Sequence, residues 1–201
     1  MLNMVIASKN KHKLEEIKDI LGELPLVVQS MDEVGLSHLE VVEDGETFEE
    51  NSMKKAKEIM ALTGRIAIAD DSGLEVDALN NQPGVYSARF SGEGATDQKN
   101  NVKLLKMMED IPFEKRTARF VSVISVAFPS GKEIVVRGEC EGIIGFEEKG
   151  SHGFGYDPLF IVPEYNRTFS ELGAEIKNKI SHRAKALEKL KREFVRVLGG
   201  I

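Results

Sequence analysis

Three stretches of this 201-residue chain gather side chains that could do chemistry. The first is Asp70-Asp71-Ser72-Gly73, delivered by the apolar run Ile66–Ala69. Two adjacent carboxylates repel, so something must compensate them. A hard cation such as Mg²⁺ does so, since it takes one or two carboxylates together with phosphate oxygens and water. Asp-Ser-Gly is also ordinary turn chemistry, and that reading stands beside the metal one. The nearby acidic segment Glu43-Asp44-Gly45-Glu46 offers a second carboxylate or simply a solvated loop.

The second stretch is Ser8-Lys9-Asn10-Lys11-His12-Lys13. It lies between a predicted strand and a predicted helix. A helix start presents unpaired N–H groups and the positive end of the dipole, both suited to phosphate. The glycines of a Walker A loop are absent, so a P-loop is excluded; a solvated, lysine-rich first turn is the plainer alternative. The third stretch is Gly150-Ser151-His152-Gly153-Phe154-Gly155-Tyr156-Asp157-Pro158. Glycines alternating with aromatics allow a flat ring to approach and stack, and Asp157 could accept from ring N–H groups. A tight hairpin with core aromatics explains the same residues. Downstream, Lys177 and Ser181-His182-Arg183 collect donors at another helix start. His182 is not read as a metal ligand, because no other His or Cys stands at ligand spacing.

The elements that must position these groups follow from periodicity. Met4–Ala7 reads as a buried strand, followed by a helix with Leu14, Ile17 and Leu21 on one face. Leu26–Val28 is a second strand. Thr47-Phe48-Glu49-Glu50 has capping-box form and opens a helix running to about Ala61, before Gly64. Ile66–Ala69 is a strand leading into an acidic turn that Gly73 sharpens, and Leu74–Ala78 is extended. Pro83-Gly84 marks a turn. Thr96-Asp97 caps a helix carrying Val102, Leu105 and Met108. Ala118–Phe128 alternates as a half-buried strand, with Phe120, Ser122, Ile124 and Val126 inward. It turns at Pro129-Ser130-Gly131 into Ile134–Glu141 as a hairpin. Leu159–Val162 is a short strand, and a last helix from Ser181 carries Leu187, Leu190, Phe194 and Val197 on one stripe. Early alternation of strand and helix, interrupted by a hairpin, predicts an α/β fold on a mixed sheet.

Composition bounds the function classes. The chain is 41% hydrophobic and 30% charged, with a formal charge of −6. That charge argues against a general nucleic-acid binder, while leaving room for a few lysines around a small anion. Cys140 is alone, so no internal disulfide forms. The opening apolar run is too short for a signal peptide, and no stretch approaches the roughly 18–20 apolar residues of a membrane span. A cytoplasmic protein without membrane partners is expected.

The stretches taken together are more specific than any one. Ser8-x-Asn10-x-x-Lys13, Ala69-Asp70-Asp71-Ser72-Gly73-Leu74, Pro83-Gly84-Val85-Tyr86-Ser87-Ala88-Arg89, Gly153-Phe154-Gly155-Tyr156-Asp157-Pro158 and Ser181-His182-Arg183 occur in this order. The chain closely resembles the inosine-triphosphate pyrophosphatase family from Ala7 to Leu187. The resemblance implies Mg²⁺-dependent hydrolysis of ITP, dITP or XTP to the monophosphate and pyrophosphate. It implies one domain over residues 1–201, elongated, with the active cleft between two lobes, and a homodimer. Carried over, Ser8, Lys9, Asn10, Lys11, His12 and Lys13 hold the triphosphate, with Lys55 as a further phosphate-binding lysine. Asp71 is the catalytic and metal-binding acid, Ser72 contacts substrate, and Glu43 is the second metal carboxylate, with Glu46 a near neighbour. Phe154, Gly155, Tyr156, Asp157, Lys177, His182 and Arg183 match the base-recognition set. Lys9 departs from the glycine often found there.

A 6-oxo purine offers an acceptor where adenine offers an amino donor. Donors from Arg183, His182 or Lys177 aimed at that position would reject adenine, and rejection of this kind reaches about 10⁴-fold. Two competing readings are a septum-inhibitor (Maf-like) pyrophosphatase, whose paired arginines are absent after Ala7, and a nucleotide-binding sensor without catalysis.

Overall fold

The computed structural model describes residues 2–22 and 26–198. Among the described residues eight strands form one mixed sheet, in which β2 (Leu26–Ser30), β1 (Leu2–Ile6), β3 (Ile66–Val76), β5 (Thr117–Ala127), β6 (Glu133–Ile144), β7 (Phe160–Val162) and β8 (Arg167–Thr168) lie side by side in that order and β4 (Gln82–Pro83) pairs with β3. The chain divides into two compact units. One comprises the described residues of Met1–Asp71, Ser122–Gly138 and Arg183–Ile201; the other comprises Ser72–Val121 and Glu139–His182. Among the described residues no helix is long and apolar enough to cross a membrane.

In the first unit, β1 (Leu2–Ile6) pairs in parallel with β2 (Leu26–Ser30) and with the start of β3 (Ile66–Val76). Because side chains alternate along a strand, β3 has two different neighbourhoods. Ile66 and Ile68 join Ile17 and Leu21 of α1 (Lys11–Leu21) and Leu187, Leu190 and Phe194 of α5 (His182–Leu198). Ala67 and Ala69 instead join Ala56 and Ile59 of α2 (Phe48–Thr63). The same parity continues into the acidic pair. Asp70 lies on the α1 and α5 side, and Asp71 on the α2 side. Each large aliphatic side chain buried here contributes about 1.5–3 kcal/mol, which makes these two faces firm supports for the carboxylates.

The second unit is built on β7 (Phe160–Val162), antiparallel to β6 (Glu133–Ile144) and to β8 (Arg167–Thr168). Its core includes Leu74, Val76, Leu104, Met108, Tyr156 and Leu159. Phe120, Phe160 and Phe169 pack through it, Phe160 stacked on Phe169 at 5.3 Å between centroids and tilted against Phe120 at 4.6 Å.

Several sequence expectations are corrected. Asp70–Gly73 is not a turn. It continues β3 without a break to Val76, and Gly73 is not among the glycines with positive φ. Strand pairing of β3 before and after this stretch, with β1 at Ile66–Ile68 and β4 at Glu75–Val76, overrides a local turn preference. β5 (Thr117–Ala127) is buried on both faces rather than one, with Val121, Val123 and Ser125 as inaccessible as Phe120 and Ile124. In α3 (Asp97–Met107) Asn100, Asn101 and Leu104 are buried, as is Met108 just beyond the helix, with Leu105 partly buried against the same core; Val102 is exposed. Thr47 caps α2 by accepting from the Glu50 N–H at 3.1 Å, but Glu50 reciprocates to the Glu46 N–H, at 2.7 Å. A helix the periodicity did not reveal, α4 (Phe169–Ile180), opens with a full capping box between Thr168 and Glu171 and is broken at Gly173, whose φ is 76°.

Candidate active site

Alternation along β3 separates two carboxylates that are neighbours in sequence. Asp70 is saturated. Lys13 Nζ lies 2.5 Å from its Oδ1, the Ser122 hydroxyl donates to Oδ2 at 2.6 Å, and Arg183 Nε donates to Oδ2 at 3.2 Å. Arg183 also donates to Glu16 through Nη1. Burial pushes the Asp70 carboxyl up, but Arg183 and Lys13 outweigh it and hold the group well below the usual carboxylate range. Burial disfavours the Arg183 charge, yet Asp70 and Glu16 hold its pKa above the ordinary value.

Asp71 is the opposite case. Burial pushes its carboxyl up, Lys55 and Lys13 oppose, and Glu43 and Asp70 reinforce the rise. Its Oδ2 is buried without a hydrogen-bond partner among the described residues. Lys55 reaches from α2 to this side of the strand. Its Nζ donates to the Asp70 carbonyl at 2.9 Å, pairs with Glu43, and stands 3.7 Å from Asp71 Oδ1. Glu43 and Asp71 therefore meet around one ammonium; the backbone N–H of Glu46 is tied back to Glu50. No group of three or more His, Cys, Asp and Glu is gathered among the described residues. A cation that needs only two carboxylates fits this set, and the partnerless Oδ2 is the atom that would receive it.

The Ser8–Lys13 turn opens α1. Asn10 caps it, accepting from the Lys13 N–H at 3.2 Å, and Ser8 Oγ accepts from the Asn10 N–H at 3.2 Å. Lys9, Asn10, Lys11 and His12 are exposed, Ser8 and Lys13 half-buried, and the first helical turn contains no acid. Cationic side chains and a helix start thus coincide on the chain that also supplies Lys13 to Asp70.

The base-recognition candidates divide. In the second unit, Lys177 of α4 donates to Asp157 Oδ2 at 2.6 Å, and the Phe154 N–H donates to the same oxygen at 3.0 Å. Lys177 Nζ also stands 4.4 Å from the centroid of the half-buried Phe154 ring. Tyr156 is buried, its hydroxyl donating to the Ser87 carbonyl at 2.8 Å, so it anchors the loop from beneath. His182 is buried and stacked on Phe120 at 4.8 Å. Arg183, one residue on, belongs to the first unit, with its donors on Asp70 and Glu16. Ser72 is half-buried and begins the second unit.

Residues 4–193 match the sequence profile of the Ham1 family. The chain belongs to the Ham1 family. It is 52% identical over 188 residues to a dITP/XTP pyrophosphatase of Desulforamulus reducens, spanning 94% of this chain and 93% of that protein. It is 49% identical over 197 residues to a dITP/XTP pyrophosphatase of Clostridium perfringens, spanning 95% and 96%. Among solved structures, a HAM1 protein from Coxiella burnetii superposes with a TM-score of 0.89 at 39% identity, covering 98% of this chain and all of that one. The Ham1 protein of Staphylococcus aureus gives 0.86 at 40% identity, covering 96% and 97%. The expected kinship and the α/β mixed-sheet fold are both borne out.

Sequence reasoning missed several residues around the candidate site of this Ham1 family member. Glu16 shares Arg183, and its signal was present: it lies one helical turn after Lys13 on the same face of α1. Ser122 was legible as an inward residue of β5 but not as a donor to Asp70. Asp97 and Asn101 of α3, which bind the Gly155 peptide, had no signal beyond their own i, i+4 spacing.

Proposed function

We propose that this protein hydrolyses non-standard purine nucleoside triphosphates such as dITP, ITP and XTP between the α- and β-phosphates, releasing pyrophosphate and the monophosphate. The observation that carries the reading is Asp71 Oδ2, a buried carboxylate oxygen without a partner, beside the ammoniums of Lys55 and Lys13. The names of the relatives supply the substrate class.

The roles follow from the chemistry of each group. Lys13, Lys55 and the Ser8–His12 turn neutralise the triphosphate, which makes pyrophosphate a competent leaving group. Asp71, its carboxyl raised by burial, accepts the proton of the attacking water. Mg²⁺, held by Asp71 and Glu43, would supply further charge neutralisation on the phosphate oxygens. Asp70 keeps Lys13 and Arg183 in place. For the base, Phe154 offers a face for stacking and Lys177 a donor to a 6-oxo group, against which the amino group of adenine would be mispaired.

A product-resolved panel of dITP, ITP, XTP, GTP, ATP and dUTP with Mg²⁺ tests this. Monophosphate and pyrophosphate from the first three, with little from ATP or dUTP, is the expected result. Orthophosphate would make the protein a phosphatase, dUTP turnover would favour the Maf-like alternative, and binding without turnover would make it a sensor.

A further inference from the structure

The loop Gly153–Asp157 is held at the two peptide groups that flank Gly155 by a helix the reaction does not use. The Gly155 N–H donates to Asp97 Oδ2 at 2.7 Å, and its carbonyl accepts from Asn101 Nδ2 at 3.1 Å. Asp97 and Asn101 stand four residues apart at the start of α3, hence on one face of it. Asn101 is buried, also donates to Glu148 at 2.7 Å, and keeps its Oδ1 without a hydrogen-bond partner among the described residues. The next residue round the helix serves a second loop. Asn100 Oδ1 accepts from the Ser91 N–H at 2.8 Å, and its Nδ2 donates to the carbonyls of Ser87 and Ala88 at 3.3 and 3.2 Å. Ser87 in turn is where Tyr156 anchors. The first turns of α3 are thus the common support of residues 87–91 and 153–157.

Gly155 needs such support. Its φ is +61°, in the left-handed region, and a Cβ there would meet nothing within 4 Å. The space beside its Cα is open, and besides the Asp157 N–H, which donates to the Phe154 carbonyl at 3.2 Å, the hydrogen bonds that hold the backbone here come from α3. Phe154 precedes it directly and carries the ring beneath Lys177.

We propose that Asp97 and Asn101 are positioning residues that set base selectivity by fixing the Gly155 peptide, and with it the Phe154 ring. The inference rests on the assignment of Phe154 and Lys177 to the base. A site held to within about half an ångström loses binding when its support is removed, and a hydrogen bond of this kind corresponds to about a tenfold effect. Asp97→Ala and Asn101→Ala are expected to raise KM for dITP about tenfold with kcat nearly unchanged, and to narrow the preference for dITP over dATP. Asp97→Asn, which keeps an acceptor for the Gly155 N–H, is expected to restore most of both. Inhibition by pyrophosphate, a probe of the phosphate-binding residues alone, should be unmoved in all three.

Three outcomes decide the matter. KM and selectivity that move in Asp97→Ala and recover in Asp97→Asn, at matched thermal stability, support the proposal. Unmoved selectivity in both alanine variants, while Phe154→Ala relaxes it, overturns the proposal and leaves the base assignment standing. Unmoved selectivity in Phe154→Ala itself overturns the base assignment, and this inference with it.

Discussion

Asp70 and Asp157 are both buried carboxylates paired with a lysine, yet the regions around them are built differently. In the first unit cations are gathered in excess of what one carboxylate needs: Lys13, Arg183 and Lys55 surround an acidic pair. Asp70 absorbs two of them and leaves Asp71 with an unused oxygen. In the second unit Asp157 takes Lys177 and the Phe154 N–H, and the Gly155 peptide takes Asp97 and Asn101. There the polar groups serve to fix a backbone and a ring. One region gathers charge, and the other spends its hydrogen bonds on shape.

The largest expected effect falls on the unused oxygen. Asp71→Asn should lower kcat for dITP about a thousandfold, the usual loss when a general base is removed, measured as pyrophosphate release at saturating substrate. Because burial raises the Asp71 carboxyl, its charge costs folding energy whenever pH exceeds the folded value. The variant should therefore be more stable than the parent at neutral pH. That gain should shrink as pH falls and vanish below the ordinary carboxyl value of 3.8. Wild-type turnover in Asp71→Asn would remove the residue from the mechanism.

Asp70→Asn should do the reverse. Removing the Asp70 charge leaves the buried Arg183 guanidinium with Glu16 alone and takes the acid partner from Lys13, and breaking a buried pair costs about 3–5 kcal/mol. The folded Asp70 pKa is depressed, so this contribution is fully present above 3.8 and lost as pH falls through the folded value. Thermal unfolding of both asparagine variants across pH reads the contrast directly. Equal shifts of the same sign would erase the distinction between the two carboxylates.

How much of this was legible in the sequence differs between the two regions for physical reasons. The first unit's carboxylates, lysines and helix start stand in short, chemically distinctive runs, and the structure brings Lys13, Lys55, Glu43, Asp70 and Asp71 together. Their division of labour was not legible. It depends on β3 running straight through Asp-Asp-Ser-Gly, so that parity sends Asp70 towards α1 and α5 and Asp71 towards α2; turn propensity pointed the other way. Arg183 is carried over with Lys177 and His182 into the base-recognition set, and its contacts with Asp70 and Glu16, far from it in sequence, were not legible. In the second unit the glycine–aromatic run was visible, while its supports were not. Asp97 and Asn101 lie more than 50 residues away in sequence, and α4, which carries Lys177, is interrupted at Gly173 where periodicity would have betrayed it.

A smaller effect tests the shape-built region by its ring. Phe154→Ala should raise KM for dITP about tenfold, in line with about 1–3 kcal/mol for stacking of a base on an aromatic ring, while pyrophosphate inhibition stays at the parental level. A parallel loss of pyrophosphate affinity would mean that the two regions are not separable in function.

The finest discrimination comes from two glycines with nearly the same backbone. Gly64 closes α2 in the first unit at φ +64°, and Gly155 lies in the loop Gly153–Asp157 at φ +61°; a Cβ at either would meet nothing within 4 Å. Alanine at each carries the same left-handed penalty of about 1–2 kcal/mol, so thermal unfolding should register similar losses. Only Gly155→Ala should also raise KM for dITP, because relief of its strain rotates the peptide that Asp97 and Asn101 hold. Gly64→Ala ends a helix and should leave KM alone. If both variants lose stability and neither changes KM, the loop tolerates a displaced peptide, and shape is not what the second region contributes.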